Sequence, residues 1–300
     1  MTQQDAPFSE MLAAAVDTAG GSVVRIEGRR GRPASGTVWA SDGTIVTTDH
    51  ALGDDDQTLV TLADGRELTA AVVGRDPTTD LAVLRVGASD LFVPAWRELE
   101  GLRVGHAVLA LGRPGRTVRA RFGILGAAGG EWRTPYGATV ARYLEPDVAR
   151  APGFSGGVLT DASGRAIGVN TAGLLRGTVV TVAGPDLRRV VDSLVAHGRI
   201  RRGYLGIAAQ RVRLPRAAQT SEQRSGLLVL GVEPDSPAER GGVLLGDTLT
   251  AVGGQPVRRF DDLLGALGED RIGTAVSIRV LRAGQVLDLS VSVGERPRAA

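Results

Sequence analysis

The feature that most constrains the fold is a long series of short apolar segments separated by turns. SVVRIEG, GTVWA, TIVTT, TLVTL and LAVLRV follow one another after Ser22, and similar segments continue to about Gly184. The SDGT sequence at 41–44 is typical of a tight hairpin turn, and 42 glycines and 14 prolines favour many more turns. Short strands at this spacing, with hardly any helical periodicity between them, predict antiparallel β-barrels.

The pattern changes its period just before residue 200. In PDLRRVVDSLVAHG the apolar residues recur at i, i+3, i+4, i+7 and i+8, which predicts a helix over 185–198. Pro185 stands at its start and Gly198 at its end, as helix boundaries require. We therefore expect a first domain over 1–200, which includes the N-terminal segment and this linker helix, and a second domain over 201–300.

The second domain mixes strand and helix patterns. It opens with GYLGI, contains the alternating hairpin segments AVSIRVL and VLDLSVSV, and ends in the C-terminal tail ERPRAA. Before the hairpin, FDDLLGAL places four apolar residues on one helical face: Phe260, Leu263, Leu264 and Leu267. These elements predict a small α+β domain.

Composition excludes several kinds of site. The chain has no cysteine, which excludes disulfides, thiolate metal sites and cysteine nucleophiles. Its 3 histidines argue against a histidine-rich metal centre, so we expect no metal site. All 35 basic residues are arginine, yet the formal net charge is only +2, so we expect no nucleic-acid partner.

The sequence also bears on location. No apolar run approaches membrane-spanning length, so we expect no transmembrane segment. The first residues, MTQQDAPFSEMLAAAV, lack the basic start of a secretory signal. The chain as it stands is therefore expected to be cytoplasmic, and it would be extracytoplasmic only if a leader had been removed.

A serine among glycines is the first candidate for chemistry. Ser155 lies in APGFSGGVL, at residues 151–159. Glycines allow backbone angles that let N–H groups point freely at a ligand. Two interpretations stay open on this segment alone: Ser155 is a turn residue, or it is a nucleophile beside an oxyanion site.

A serine nucleophile needs a base, and the three histidines are the candidates. His197 falls in the last turn of the expected linker helix, and His106 lies inside a strand-like segment; both positions favour structural roles. His50 ends the strand TIVTTDH and begins the loop HALGDDD, where a scaffold can hold a reactive ring rigidly and still expose it. We therefore favour His50.

The base in turn needs a carboxylate on its other ring nitrogen. Asp80 directly precedes the apolar strand LAVLRV, where a carboxylate is costly unless it has a partner. A strand cap is the alternative role for Asp80, and it is the favoured one when the residue is taken singly. Asp49 adjoins His50, but on a strand its side chain points to the opposite face.

Three segments in a fixed order resemble one protein family. TIVTTDHAL, RDPTTDLAVLRV and APGFSGGVL, around the histidine, the aspartate and the serine, resemble the chymotrypsin-fold serine proteases of the HtrA type. RRGYLGI resembles the entrance of a PDZ domain, and the resemblance covers nearly the whole chain. It implies a mainly β fold: a double six-stranded antiparallel β-barrel (trypsin-like), followed by a small α+β PDZ domain.

The resemblance implies a serine endopeptidase that hydrolyses peptide bonds of unfolded or damaged proteins. By the resemblance, Ser155 attacks the scissile carbonyl, His50 takes and returns the proton, and Asp80 orients His50. The backbone N–H groups of Gly153 and Ser155 would form the oxyanion hole, and no cofactor is needed.

The chain departs from the usual family sequence around the serine, at three positions: Ala151, Phe154 and Val158. Phe154 precedes the nucleophile and bears on the geometry of its loop. Arg150 stands beside the primary specificity pocket, where the family commonly has an apolar residue. It either favours acidic residues at the cleavage point or partly blocks the pocket. The resemblance places the opposite wall of the pocket at Asn170, Thr171 and Ala172.

In the second domain the resemblance implies a site for C-terminal peptides. Backbone amides after Tyr204 would receive the terminal carboxylate, and the peptide would add as a strand beside 207–209. The implied site residues lie in this loop and on the facing helix: Tyr204, Leu205, Gly206, Ile207, Leu263, Leu264 and Leu267. The alternative for the three helix leucines is that they simply pack the small core.

Two functions are weighed. The first is an active endopeptidase whose PDZ domain recruits exposed C-termini, and the second is a catalytically impaired PDZ peptide-binding or chaperone-like scaffold. The presence of all three triad residue types favours the first. An α/β-hydrolase esterase is excluded because the strands do not alternate with helices. By analogy with the family, Phe8 and Leu12 would support a homotrimer.

Overall fold

The computed structural model describes residues 8–221 and 223–295, which fall into two compact units. The first unit ends at Ile200 and the second begins at Arg201. The apolar cores of each unit are built from that unit's own residues. Most of the expected C-terminal tail, at 296–300, lies outside the described residues.

The described chain begins with a helix that the sequence analysis did not predict, α1 (Phe8–Gly20). Leu12, Ala15 and Ala19 repeat at helical spacing and pack in a cluster with strand residues of the first unit such as Leu111. Alanines carry only a weak hydrophobic signal, so MLAAAVDTAG did not stand out as amphipathic. The buried face of α1 is built mainly from these small side chains.

The first barrel is closed and antiparallel. Its strands are β1 (Val23–Glu27), β2 (Pro33–Val38), β3 (Thr44–Thr47), β4 (Gln57–Thr61), β5 (Glu67–Asp76) and β6 (Leu81–Val86). They pair in the order β1-β2-β3-β6-β5-β4, and β4 returns to β1. Their many Val, Ile and Thr residues suit a pleated surface, and Ile26, Ile45 and Leu84 fill the centre of the barrel.

A second six-stranded antiparallel sheet follows. The strands of this part are β7 (Ala107–Gly112), β8 (Arg119–Ala128), β9 (Trp132–Arg133), β10 (Thr139–Val140), β11 (Leu144–Asp147), β12 (Val158–Asp161), β13 (Ala166–Thr171) and β14 (Val180–Ala183). The sheet order is β11-β8-β7-β12-β13-β14, while β9 and β10 form a separate hairpin. The end strands β11 and β14 contact each other, so the sheet curls into a barrel-like form.

Helix α2 (Gly184–His197) ends the first unit, where the sequence predicts a helix. Pro185 lies in its first turn, and the left-handed Gly198 (φ 71°) closes it with an N–H bond to Leu194 O of 2.8 Å. Val190 and Leu194 are fully buried against apolar residues of the strands. The expected amphipathic face is therefore the one that packs.

The second unit is a small α+β fold. Its elements are β15 (Gly203–Tyr204), β16 (Ile207–Arg213), β17 (Ser225–Val232), α3 (Pro237–Arg240), β18 (Thr248–Val252), β19 (Gln255–Pro256), α4 (Phe260–Ala266), β20 (Ala275–Arg282), β21 (Gln285–Ser292) and β22 (Gly294–Glu295). The main sheet has the order β16-β17-β18-β20-β21, which leaves β16 as an end strand. Leu227, Leu249 and Ile278 lie in its core.

The fold class expected from the sequence is confirmed. The chain is mainly β, with two six-stranded barrel-like antiparallel sheets followed by a small α+β unit.

Candidate active site

His50 lies in a short 3₁₀ turn, Asp49–Ala51, just after β3. Its backbone N–H donates to Asp80 Oδ1 at 2.9 Å, and its ring Nδ1 lies 2.7 Å from Asp80 Oδ2. One carboxylate therefore fixes both the backbone and the ring of His50. The His50 side chain stays 43% exposed, whereas that of Asp80 is 6% exposed.

Asp80 lies directly before β6 with a φ of 57°, in the left-handed region. Aspartate is one of the few residues other than glycine that adopts this conformation with some frequency. A buried carboxylate is costly unless it is hydrogen-bonded. Asp80 accepts bonds from the His50 N–H and from the Thr171 hydroxyl, besides its contact with the ring.

The carboxylate changes the acid–base behaviour of the ring. The hydrogen bond to Asp80 raises the pKa of His50 above its usual value, and burial opposes that rise. The negative charges of Asp80 and Asp49 raise the pKa further, and the positive charge of Arg150 lowers it. An imidazole held in this way on Nδ1 can exchange a proton at Nε2.

Ser155 lies in the tight turn that precedes β12. Its Oγ accepts a hydrogen bond from the Ala172 N–H at 3.4 Å. Ser155 and His50 line the same open groove, whose volume is about 950 Å³. Within the described residues, no hydrogen bond joins Ser155 Oγ to the His50 ring.

The backbone around Ser155 is fixed from β2. Ser35 Oγ donates to Gly153 O at 2.5 Å, and the Ser35 N–H donates to Ser155 O at 3.0 Å. Gly153 has a φ of 81°, and a Cβ there would lie 2.6 Å from Pro114 Cβ, so only glycine fits. Among the described residues, no acceptor bonds the N–H of Gly153 or of Ser155. Both N–H groups are therefore unpaired in this part of the chain.

Sequence reasoning missed three contacts of this site. Ser35 received no role, Gly173 was not singled out, and Thr171 was placed only in a pocket wall. In the structure Thr171 donates its hydroxyl to Asp80, and Gly173 N donates to Thr171 Oγ1 at 2.9 Å. The signal for Ser35 is a serine in the strand PASGTV, which is buried along nearly its whole length.

The four residues expected at the specificity pocket line one small pocket beside Ser155: Arg150, Asn170, Thr171 and Ala172. Its volume of about 20 Å³ is close to that of one water molecule. Phe154 also lines it, is 8% exposed and has the Arg121 guanidinium 5.9 Å from its ring centroid. Asn170 Oδ1 accepts from Thr181 Oγ1, while its Nδ2 has no partner among the described residues.

The other two histidines lie elsewhere. His197 ends α2, and His106 Nδ1 accepts from the Arg103 N–H at 3.4 Å. Neither residue lines the groove of Ser155. Within the described ranges, no group of three acidic or histidine side chains is placed to hold a metal ion.

The second unit presents a loop and a helix at the expected positions. Gly206 has a φ of 80°, and the Tyr204 hydroxyl bonds to the Glu233 carboxylate. Leu205 is 3% exposed and belongs to the core, and Ile207 begins the end strand β16. The three leucines of the helix region separate: Leu263 and Leu267 lie in the core, and only Leu264 is half-buried.

Two family models match the chain in this order. A model described as a trypsin-like peptidase domain matches residues 34–169. A model described as a PDZ domain matches residues 203–293.

Known proteins are similar over most of the chain. A curated protein of Pseudomonas fulva (strain 12-X), named "Probable periplasmic serine endoprotease DegP-like", is 34% identical over 270 residues, 88% of this chain and 56% of the relative. The chain thus spans just over half the length of the curated relatives it matches. The solved structure "HtrA-type protease AlgW with tripeptide" is 33% identical with a TM-score of 0.75, and the match covers 96% of this chain and 98% of that one. The same protease with a decapeptide is 30% identical with a TM-score of 0.76, over 96% of this chain and 99% of that one.

These relatives correct one expectation. The curated relatives are named as periplasmic, so the expected cytoplasmic location is wrong, and they point to an extracytoplasmic one. The expectation rested only on the first residues of the sequence. Of the helices that the structure describes, none combines the length and the apolarity needed to cross a membrane.

The two domain matches and the solved protease structure, which is 33% identical and matches nearly the whole chain, indicate the same family. The chain belongs to the HtrA-type serine proteases, with one PDZ domain after its protease domain.

Proposed function

We propose that this chain is an endopeptidase that cuts unfolded or damaged proteins through His50, Asp80 and Ser155. The observation that carries the proposal is the His50 ring. Its Nδ1 lies 2.7 Å from a buried carboxylate oxygen of Asp80, in a groove that Ser155 also lines. A histidine held by a carboxylate through one ring nitrogen, with a serine in the same groove, supplies the groups that acyl transfer needs.

The reaction follows from these positions. Asp80 keeps a proton on His50 Nδ1, so that Nε2 can accept the proton of the Ser155 hydroxyl. Ser155 Oγ bonds to the scissile carbonyl carbon, and the carbonyl oxygen becomes an oxyanion. The protonated ring gives its proton to the leaving amine as the C–N bond breaks. Water then hydrolyses the Ser155 ester by the same proton transfers.

The open N–H groups of Gly153 and Ser155 would stabilise that oxyanion. Each such donor contributes about 2.7–4 kcal/mol to the transition state in serine proteases. The Ser155 hydroxyl still has to turn from the Ala172 N–H towards His50. Catalytic hydrogen bonds commonly tighten only when substrate binds.

The small pocket supports a preference for substrates with a small side chain at the cleavage point. A pocket of about 20 Å³ beside Ser155 takes no large side chain unless Phe154 or its neighbours move. A substrate segment must also be extended to enter the groove, which favours unfolded chains over folded ones.

The second unit would bind C-terminal peptides. β16 is an end strand of its sheet, so an added peptide strand can pair with it. The left-handed Gly206 and the amides around it supply N–H groups for a terminal carboxylate. Of the helix leucines, Leu264 is the one left to contact a ligand, because Leu263 and Leu267 are core residues.

Two further properties belong to the proposal. The chain would work outside the cytoplasm, as the names of its relatives indicate.

It would assemble as a homotrimer through the N-terminal region, which is supported by the exposed Phe8. The Phe8 ring packs edge-on against Phe122 at 5.5 Å, and both residues are about half exposed. Light scattering of wild type and Phe8→Ala tests this: a trimer that dissociates in the variant is expected.

Covalent labelling tests the catalytic proposal. A fluorophosphonate reacts with an activated serine, so wild type should be labelled and Ser155→Ala should not. The same pair should differ in cleavage of a chemically unfolded protein. Each reaction is run with and without a peptide that has a free C-terminal carboxylate, because a ligand can shift a protein from an inactive to an active conformation.

The absence of Ser155-dependent labelling, even with the peptide added, would contradict the proposal. The chain would then be a peptide-binding scaffold. A C-terminally amidated copy of the peptide is the matched control for the second unit, since it lacks the carboxylate.

A further inference from the structure

The groove beside Ser155 carries a concentration of positive charge. Arg29, Arg30 and Arg32 come from the connection between β1 and β2, and Arg150 comes from the connection between β11 and β12. All four are exposed, and they share the groove with His50. Among the described residues, no aspartate or glutamate lines this groove.

These four guanidinium groups have no partner among the residues that the structure describes. Many other arginines of the chain are paired, such as Arg75 with Asp49. By contrast, none of the four groove arginines forms an ion pair or a side-chain hydrogen bond within the described residues. Their charge is therefore available to a ligand that enters the groove.

The backbone conformation of Arg30 is a further sign that its charged side chain has a role. It has φ 57° and ψ 36°, in the left-handed region, and Gly31 follows with a φ of 69°. Glycine or asparagine would adopt this conformation more easily than arginine. Local backbone preference therefore does not account for an arginine at this position.

The small pocket next to Ser155 is lined mainly by apolar side chains, but it shares one cation with the groove. Arg150 lines both spaces. Asn170 lines the pocket, is 2% exposed, and its Nδ2 donor has no acceptor among the described residues. The positive charge of Arg150 also lowers the pKa of His50, so it acts on the reacting groups themselves. Arg150 therefore brings positive charge to both the groove and the pocket, and no carboxylate of the described residues lines either space.

We infer that the groove selects peptide segments with acidic side chains beside the scissile bond, with Arg29, Arg30, Arg32 and Arg150 as their counter-charges. This inference rests on the proposed function of the same groove as the substrate site. Because the arginines are exposed, they act through electrostatic attraction that salt screens, rather than through one buried ion pair.

A binding experiment separates this selection from catalysis. Ser155→Ala is mixed with fluorescent peptides that have a small central residue flanked by glutamate, glutamine or lysine. Both peptide ends are blocked, and the amidated C-terminus removes the carboxylate that a PDZ domain would bind. We expect the glutamate peptide to bind about tenfold more tightly than the lysine peptide at about 0.05 M salt, as fluorescence anisotropy measures it. The ratio should fall to about twofold or less at about 0.5 M salt.

Two matched variants, also carrying Ser155→Ala, assign the effect to the groove. Changing the four groove arginines to glutamine should bring the ratio close to one, and changing them to lysine should restore most of it. The control changes four exposed arginines outside the groove to glutamine, with the same loss of net charge: Arg103, Arg116, Arg119 and Arg216. This control should keep the ratio.

Equal binding of the three peptides, or an equal loss of the ratio in the control variant, would overturn the inference. Neither result bears on hydrolysis, because Ser155 is absent from the protein used. Conversely, failure of Ser155-dependent labelling in the wild type would overturn the proposed catalysis but not charge selection by the groove.

Discussion

Gly173 lies directly against the pair formed by His50 and Asp80. A Cβ on this glycine would lie 2.4 Å from Asp80 Oδ2 and 2.6 Å from His50 Nδ1, closer than real Cβ contacts. Its N–H donates to Thr171, whose hydroxyl in turn donates to Asp80. The carboxylate is therefore held by the backbone on one side and by the ring on the other.

Asp80→Asn tests the role of this carboxylate. An amide would donate to His50 Nδ1 and leave the proton on Nε2, where the ring cannot act as a base. We expect kcat/KM to fall by about 10³–10⁴-fold. In wild type, kcat/KM should rise with pH through the raised pKa of His50, because the base must be neutral. The variant lacks the carboxylate that raises the pKa of His50. The acid limb of its kcat/KM–pH profile should therefore lie at lower pH.

Asp49→Asn is the matched control for this profile. Asp49 adjoins His50, but its carboxylate pairs with Arg75 at 3.2 Å rather than with the ring. Its charge is only a minor cause of the raised pKa of His50. An acid limb that moves as far in Asp49→Asn as in Asp80→Asn would be inconsistent with a specific role for Asp80.

Ser35→Ala tests the hold of β2 on the oxyanion loop. The hydroxyl bonds to Gly153 O, and it accepts the Arg113 N–H at 2.8 Å. Its loss leaves the buried Arg113 N–H and the half-buried Gly153 carbonyl unpaired, which costs about 1–3 kcal/mol of stability. We expect fluorophosphonate labelling of Ser155 to slow by more than the loss of folded protein explains.

Ser22→Ala is the control for Ser35. Ser22 is equally buried and donates to Ala19 O at 2.7 Å, at the end of α1. It should lower stability by a similar amount while the folded protein is labelled at the wild-type rate. Equal labelling rates for the two folded variants would argue against a role for Ser35 in positioning the loop.

At the scale of elements, the neighbouring strands β18 and β20 are also linked by an ion pair between Asp247 and Arg282. Asp247, just before β18, is 1% exposed and accepts two bonds of 2.8 Å from Arg282 at the end of β20, besides one from the Leu244 N–H. Burial alone would raise the pKa of Asp247, but the bonds from Arg282 and Leu244 outweigh it and lower that pKa.

Asp247→Asn should lower the free energy of unfolding of the second unit by about 2 kcal/mol at neutral pH, as urea titration measures it. A lowered pKa in the folded state means that the carboxylate stabilises the fold fully above its unfolded pKa, near about 4. That stabilisation is lost as the pH falls through the folded pKa. The difference between wild type and variant should therefore shrink on acidification.

Asp288→Asn breaks a comparable pair on the surface. Asp288 bonds to Arg279, on β20, at 2.9 Å, but both side chains are about half exposed. Solvent screens such a pair, so its loss should leave the urea midpoint nearly unchanged. If the two variants were equally unstable, burial would not be the reason for the effect at Asp247.

Periodicity predicted most elements because their apolar residues face a single core. The strands from β1 to β6 and helix α2 lie where alternation or helical spacing predicts them. Helix α1 was not predicted because its buried face consists mainly of alanine. Leu263 and Leu267 share a face with Leu264, yet spacing alone could not say that the first two fill the core.

At the scale of the whole molecule, each unit has its own core. Leu84 is fully buried in the first barrel and Leu227 in the second unit. Leu227→Ala should destabilise the second unit by about 2–5 kcal/mol and leave Ser155 labelling unchanged under native conditions. Leu84→Ala, its counterpart, should destabilise the first unit and reduce labelling. Calorimetry of the full chain measures both, and a loss of labelling in Leu227→Ala would mean that the units unfold together.

The chemistry of the site was more predictable than its supports. His50, Asp80 and Ser155 stand in recognisable segments at strand–loop junctions, so their residue types and order suggested a common site. The contacts of Ser35 with Gly153 join positions 118 residues apart, and no local pattern encodes them. The closing of the small pocket around Phe154 likewise depends on packing between distant strands.

The open edge of strand β16 that would bind a peptide also exposes the chain to aggregation. An end strand that must stay open for a peptide is also a template on which two copies of the chain could join edge to edge and aggregate. Arg211 and Arg213 stand exposed on this strand, and Pro215 follows it with no N–H to donate. Like charges facing each other across such a junction repel. Replacing these arginines with neutral residues would therefore lower the solubility of the protein, most of all when no ligand covers the edge.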